Sequence, residues 1–165
     1  MSMLSDSARA KIDREIAKYP PDQRQSAVMS ALAVVQEENG HLTYELMDRV
    51  AQYLRMPSIA VYEVASFYAM YDLKPVGKHK VCICTNLPCA LSGATEAAQH
   101  LKKRLGIDYG GTTADGQFTL QEGECFGACG DAPVVLVNNK TMLIGMTPQR
   151  IDEWLQRSRE GGGES

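Results

Sequence analysis

Two pairs of cysteines constrain this chain more than any other feature of its sequence. Cys84 and Cys89 form a C-x₄-C pair in "CTNLPC", and Cys125 and Cys129 form a C-x₃-C pair in "CFGAC". Each pair begins where a stretch typical of a β-strand ends: Cys84 lies at the end of "HKVCICT", and the second pair follows "GQFTLQE". The two pairs can meet if the strand ends are neighbours in one sheet. The sequence therefore predicts a site of four sulfurs.

Several kinds of site use four such sulfurs. Disulfides are rare in the reducing cytoplasm, and the odd number of five cysteines also argues against them. A thioredoxin-type redox pair needs C-x-x-C, which is absent from this sequence. Structural zinc sites favour C-x₂-C knuckles, whereas a [2Fe–2S] cluster needs two sulfurs for each of two irons. The wider spacing favours the cluster, with zinc, redox thiols and unrelated buried cysteines as the alternatives.

The residues next to the cysteines fit this interpretation. Gly127 and Gly130 allow backbone N–H groups to turn toward bridging sulfides and to stabilise negative charge there. The fifth cysteine, Cys82, lies two residues before Cys84 and shares its face of the strand. We expect Cys82 to be a small buried strand residue without a role as a ligand.

Other polar residues give no sign of a second site. His41, His79 and His100 are far apart in the sequence and are expected at the surface. Glu122 and Glu124 are interpreted as solvated loop acids. The stretch "YGGTTADG" is rich in glycine but does not have the G-x-G-x-x-G pattern of a nucleotide site, so it is expected to be a loop. No catalytic residue is predicted.

Composition sets the class of protein. The chain has 165 residues, of which 44% are hydrophobic and 22% are charged, as in soluble domains. A net charge of −3 gives no reason to expect nucleic acid as a partner. No apolar run reaches the roughly 20 residues of a membrane span. The N-terminus has no apolar signal core, so we expect a cytoplasmic protein without membrane insertion.

The N-terminal half predicts a small helical bundle over residues 1–74. Apolar residues recur there at helical spacing, and Ser58 is expected to cap the last helix, which should turn Tyr68 inward. The segments expected to be helical are 5–18, 22–38, a third helix that Thr43 caps and Pro57 ends, and 59–71.

Residues 78–160 predict a second domain in which strands and helices alternate, and 161–165 are expected to be a disordered tail. The order is strand, helix, three strands, helix, which is α+β or α/β and close to a thioredoxin-like sandwich. Ser92 is expected to cap the first helix, over 92–105, and Cys89 to lie in the loop before it. Asn138 and Asn139 should turn a hairpin, and Thr147 should cap the last helix.

The stretch "DGQFTLQEGECFGACGDAP", residues 115–133, resembles the signature of the 24 kDa-type [2Fe–2S] subunit of NADH:quinone oxidoreductase, respiratory complex I (the NuoE family). "CTNLPC" matches that family's C-x₄-C, and "VASFYAMYDLKPVGKH" resembles the segment that joins its helical part to its thioredoxin-like ferredoxin domain. The resemblance extends from about residue 10 to residue 156. It implies that Cys84, Cys89, Cys125 and Cys129 are the cluster ligands.

The resemblance implies an oxidoreductase subunit of the respiratory chain that transfers electrons and has no catalytic pocket of its own. Its partner would be the FMN- and NADH-binding flavoprotein subunit of complex I (NuoF-type), with the cluster near the flavin but off the main electron path. The place would be the peripheral arm, on the cytoplasmic face of the inner membrane, with residues 1–74 as a docking region. Homologous subunits of NAD-linked formate dehydrogenases and NAD-reducing hydrogenases are the alternative, and a zinc-stabilised interaction module is a more distant one.

Overall fold

The computed structural model describes residues 4–161 of the chain. The fold divides into two units, Met1–Pro75 and Val76–Ser165. The disordered tail predicted for 161–165 falls, beyond Gly161, outside the described residues. Among the helices within 4–161, none has both the length and the apolar character that crossing a membrane requires.

The first unit is built from helices whose ends follow local capping rules. Ser5 caps the first helix by accepting a hydrogen bond from the Ala8 N–H, and Thr43 caps the third by accepting one from the Leu46 N–H. Gly40 ends the second helix at a positive φ of 78°. The elements are α1 (Asp6–Ile16), a 3₁₀ turn (Arg24–Ala27), α2 (Val28–Asn39), α3 (Tyr44–Leu54) and α4 (Ser58–Phe67).

The apolar stripes of these helices form one core. Its largest fully buried side chains include Ile12, Leu32 and Val50. Two expectations about α4 were wrong. Pro57, rather than Ser58, occupies the N-cap position, and it makes no side-chain cap. Tyr68 lies beyond the end of α4 and is 41% exposed, so it does not face the core.

The second unit is a four-stranded sheet of order β2-β1-β3-β4 with helices packed on it. β1 and β2 are parallel, whereas β3 pairs antiparallel with both β1 and β4. The parallel pair requires a crossover connection, which the helices between β1 and β2 supply. The elements are β1 (His79–Cys84), α5 (Leu87–Cys89), a π-helical turn (Ala90–Ala94), α6 (Thr95–Leu105), β2 (Phe118–Gly123), a 3₁₀ turn (Cys129–Asp131), β3 (Val135–Val137), β4 (Thr141–Leu143) and α7 (Pro148–Arg159).

The start of the crossover differs from the prediction. Helical structure begins at Leu87, and the chain kinks at Ser92 and Gly93 before α6 starts at Thr95. Ser92 does not cap α6, because its hydroxyl donates a hydrogen bond to the Pro88 carbonyl. Cys89 is therefore the last residue of a helical turn and does not lie in a loop.

The core of the second unit lies between the sheet and its helices. Val81, Ile83, Leu120 and Ile151 are among its fully buried side chains. His79 also belongs to the interior, with only 8% of its surface exposed. The prediction that this histidine lies at the surface was wrong. His79 is the first residue of β1, and its ring stacks on the buried ring of Phe118 in β2.

Candidate functional site

The sheet brings the two cysteine pairs to one edge. β1 and β2 run in parallel and end level, because Cys84 is in register with Gly123. Both strands therefore release their following loops at the same edge of the sheet. The first loop leads to Cys89 in α5, and the second carries Cys125 and then Cys129 at the start of a 3₁₀ turn.

The four sulfurs differ in exposure. Cys84 and Cys89 are buried, each with 1% of its surface exposed, whereas Cys129 is half-buried and Cys125 is exposed. The sulfurs of Cys125 and Cys129 lie 3.8 Å apart. All five cysteines lie in the described part of the chain, and none is in a disulfide. The site thus has a buried side, formed by the first pair, and an accessible side, formed by the second.

The pKa values of the thiols reflect this crowding. Burial is the main cause that raises the pKa of Cys89 to about 11, followed by its hydrogen bond with the Cys84 thiol and the charges of the second pair. The pKa of Cys129 is raised mainly by its hydrogen bond with Cys125. Both pairs therefore influence one another across the two loops. A metal centre must displace thiol protons to bind here.

A small apolar cluster forms the inner wall of the site. Ala94 is buried against Cys84 and Cys89, and Phe126 and Ala132 pack on them from the second loop. Phe126 folds back over the end of β2. Its ring lies so close to Gly123 that a Cβ added there would collide with Phe126 Cζ. This wall keeps water from the buried cysteine pair.

The glycines of the second loop have separate roles. Gly127 has a φ of +77°, which favours glycine, and its N–H donates a hydrogen bond of 3.4 Å to the Cys125 sulfur. This donor is directed at a cysteine sulfur, whereas the expected direction toward bridging sulfides stays a prediction. Gly130 lies in the 3₁₀ turn without a positive φ, and an added Cβ would meet nothing within 4 Å.

Two hydrogen bonds join the cysteine loops, and the sequence analysis missed both. The Thr85 hydroxyl donates to Glu122 Oε1 at 2.7 Å, and Asn86 Nδ2 donates to Glu124 Oε2 at 2.9 Å. The Thr85 N–H also reaches the Gly123 carbonyl at 3.4 Å. Both acids are exposed, as expected, but the expectation of loop acids was wrong for Glu122, which lies in β2.

Cys82 is the fifth cysteine of the described chain and lies within β1. Its side chain is half-buried in β1, and its sulfur would lie 2.8 Å from a Cβ added at Gly123. It therefore packs against the end of β2, and it is less buried than the sequence suggested. His41 lies in the first unit, and His100 lies on α6 with its Nε2 2.9 Å from Asp152 Oδ1.

The chemistry of the donors fits a [2Fe–2S] cluster. Two pairs of thiols with a backbone N–H donor match the needs of two irons, each bound by two cysteines. The candidate ligands are Cys84, Cys89, Cys125 and Cys129, called the site cysteines below.

Comparison with known proteins identifies the family. The sequence model of the thioredoxin-like [2Fe–2S] ferredoxins matches residues 12–159. This chain is a thioredoxin-like [2Fe–2S] ferredoxin. The predicted α+β, thioredoxin-like fold is confirmed by this match.

The curated relatives of this ferredoxin are E subunits of NADH-quinone oxidoreductases. The chain is 40% identical over 145 residues to the E subunit of Rickettsia bellii, and the match covers 87% of the chain and 86% of the relative. It is 45% identical over 125 residues to the E subunit of Rickettsia felis, covering 75% of each. The identity to the E subunit numbered 2 of Rhizobium meliloti is 42% over 131 residues, covering 79% and 77%. The predicted resemblance to this family of subunits is confirmed.

A solved structure shares the fold. The structure of a NAD⁺-reducing [NiFe]-hydrogenase in the H₂-reduced state superposes with a TM-score of 0.67 at 20% identity. The match covers 78% of this ferredoxin but only 22% of the hydrogenase chain. At this identity the likeness shows the fold alone.

Proposed function

We propose that this ferredoxin is the [2Fe–2S] electron-transfer subunit of an NADH:quinone oxidoreductase, and that the site cysteines bind its cluster. The observation that carries the proposal is the meeting of two cysteine pairs at the ends of two parallel strands. The E subunits of NADH-quinone oxidoreductases, which match most of the chain, support the complex to which it is assigned.

The residues of the site are suited to hold such a group. Cys84 and Cys89 supply two sulfurs from the dry side, and the second loop supplies two from the accessible side. When bound, a [2Fe–2S] cluster carries one electron at a time. The Gly127 N–H offsets negative charge on the Cys125 sulfur, and the inner wall limits access of water to the first pair.

The electron donor must be another protein. NADH delivers two electrons together as a hydride. A [2Fe–2S] cluster accepts one electron at a time, so a flavin on another subunit has to separate the two electrons. We propose the FMN- and NADH-binding flavoprotein subunit (NuoF-type) as this partner. The cluster would lie near the flavin and off the main electron path, in the peripheral arm on the cytoplasmic face of the membrane.

Metal analysis and reduction test the cofactor. Protein purified without oxygen should contain two irons and two acid-labile sulfides per chain, and dithionite should reduce it. NADH alone should not reduce it until the flavoprotein partner is added. One zinc per chain without sulfide would contradict the cluster, and fast reduction of the isolated chain by NADH would contradict the need for a flavin partner.

Co-purification from the native cell tests the complex. The chain should be recovered with a flavoprotein and with the membrane subunits of a quinone reductase. Recovery with a molybdenum or a nickel–iron subunit would instead assign it to a formate dehydrogenase or a hydrogenase.

We also propose that residues 1–74 dock on the flavoprotein. Support comes from α4, which leaves Ile59 63% exposed and Phe67 80% exposed, a feature typical of an interaction surface. The variant Ile59→Asp should weaken binding of the flavoprotein while iron and sulfide content stays constant. Gln52→Asp, at an exposed polar position on α3, is the control and should bind normally. Equal binding by both variants would count against docking through α4.

A further inference from the structure

The two cysteine loops are fastened to each other by side chains that bind no metal. Thr85 follows Cys84 directly, and Glu124 directly precedes Cys125. The Thr85–Glu122 and Asn86–Glu124 hydrogen bonds join residues 37 and 38 positions apart in the chain. Each bond therefore connects the segment that carries one cysteine pair to the segment that carries the other.

We propose that these four residues form a clamp that sets the spacing of the two cysteine loops and makes the reduction potential of the cluster more negative. The clamp consists of Thr85, Asn86, Glu122 and Glu124. The proposal rests on the proposed function, because it concerns how this chain holds and tunes that cluster.

The first part of the proposal follows from where the backbone is held. Cys84 is fixed as the last residue of β1, which pairs with β2 on one side. On the other side, the Cys84 N–H donates a hydrogen bond to the Val134 carbonyl. Cys125 lies two residues beyond the end of β2, where the ladder no longer holds the chain. The Asn86–Glu124 bond acts at that point, so it limits how far Cys125 can move away from the first pair.

The second part follows from charge. Both acceptors are glutamate side chains, Glu122 near the end of β2 and Glu124 directly before Cys125. A reduced cluster has one more negative charge than an oxidised one, and nearby carboxylates disfavour that added charge. Thr85 and Asn86 are half-buried and follow Cys84, so the hydrogen bonds hold the two exposed carboxylates beside the chain that carries the first cysteine pair. Neutralising either glutamate should therefore raise the reduction potential.

Two kinds of substitution separate spacing from charge. Glu122→Gln and Glu124→Gln keep an oxygen that can accept the hydrogen bond but remove the charge. Glu122→Ala and Glu124→Ala remove both. The experiment uses full-length protein with its cluster bound, measures loss of the visible absorbance in excess chelator, and measures the potential by an EPR-monitored titration.

We expect each Ala variant to lose its cluster about fivefold faster than the unmodified protein, which is the effect of one net hydrogen bond. Each Gln variant should lose it within about twofold of the normal rate, but its potential should be more positive. Glu153, an exposed glutamate on α7, is the matched control, and neither Glu153→Gln nor Glu153→Ala should change either quantity.

Normal rates of cluster loss in both Ala variants would overturn the spacing role. Normal potentials in both Gln variants would overturn the charge role. These failures are distinct from failure of the proposed function, in which the unmodified protein would contain no iron and sulfide to begin with.

Discussion

Alanine substitution at the glycines at and just beyond the end of β2 gives the sharpest test of the site's packing. A Cβ at Gly123 would lie 2.8 Å from the Cys82 sulfur and closer still to Phe126 Cζ. The Phe126 ring cannot move away without disturbing the inner wall against Cys84 and Cys89. Overpacking of this kind costs about 1–3 kcal/mol of unfolding free energy. Gly123→Ala should therefore destabilise the second unit and reduce its iron and sulfide content.

Two neighbouring glycines provide graded comparisons. Gly127→Ala meets no atom within 4 Å, but a φ of +77° is strained for alanine and costs about 1–2 kcal/mol. Gly130→Ala has open space and no positive φ, so its effect should stay within about 0.5 kcal/mol. The three changes add the same methyl group within one short segment, so their differences report steric contact and backbone strain separately.

Thermal unfolding of the cluster-bound protein, followed at the visible absorbance, measures these effects. For a domain of this size, 1 kcal/mol shifts the midpoint by about 4–8 °C. Adding Cys82→Ala to Gly123→Ala removes one of the two colliding groups, so the double variant should lose less stability than the two single losses added together. If Gly123→Ala and Gly130→Ala unfold at the same temperature, the packing of Phe126 over β2 is wrong.

Three further predictions test the ligands, the redox chemistry and the helix packing. Alanine at any site cysteine should abolish or cripple cluster assembly. Cys82→Ala should leave the visible spectrum intact and lower the free energy of unfolding by about 1 kcal/mol. Bleaching by Cys82→Ala alone would refute the ligand assignment. An EPR titration should give a potential on the order of −400 mV, and a positive, Rieske-like value would exclude ligation by cysteines only. The hydrogen bond with His100, followed by the charge of Arg104, lowers the pKa of Asp152, so its stabilising effect is present above the unfolded-state pKa and is lost as pH falls through the native one. Asp152→Asn should therefore lower the unfolding midpoint at pH 6 more than at pH 3, and equal losses at both would contradict this account.

Local signals in the sequence were sufficient where they act alone. Thr147 followed by Pro148 predicted the start of α7, and the Thr147 hydroxyl does accept a hydrogen bond from the Arg150 N–H. Asn138 and Asn139 predicted a tight turn, and both have positive φ values, 53° and 56°. In each case a few adjacent residues determine the backbone without help from the rest of the fold.

A long-range contact accompanies one error, and a local kink explains another. Apolar spacing suggested that α4 continues to Tyr71, but the helix ends at Phe67 and the Tyr71 hydroxyl then donates to the Met29 carbonyl at 2.8 Å. Ser92 had the sequence pattern of a cap, yet the chain was already helical from Leu87 and kinked there. Helix propensity describes neighbouring residues only, so it cannot predict an end of α4 that goes with a contact to the distant Met29 carbonyl.

The site shows the same division. The spacing of the cysteines and the strands beside them predicted that the two pairs lie near the ends of neighbouring strands, and β1 and β2 do end level in one sheet. The Thr85–Glu122 and Asn86–Glu124 bonds were not predictable, because an exposed acid has no sequence mark that names a partner 37 or 38 residues away. The cysteines could therefore be identified from the sequence, whereas the hydrogen bonds beside them became visible only in the folded structure.

The level ending of β1 and β2 would also make a cluster bound by the site cysteines a cross-link. A cluster held by Cys84 and Cys125 closes a loop of roughly 40 residues, as a disulfide between those positions would, and chain entropy alone gives such a closure about 4 kcal/mol. The unfolded chain, which cannot keep the four sulfurs together, does not share this gain. Loss of the cluster should therefore resemble reduction of a structural disulfide. The sequence still favours the parallel pair of β1 and β2, but the stabilisation that came from closing the loop between them is lost.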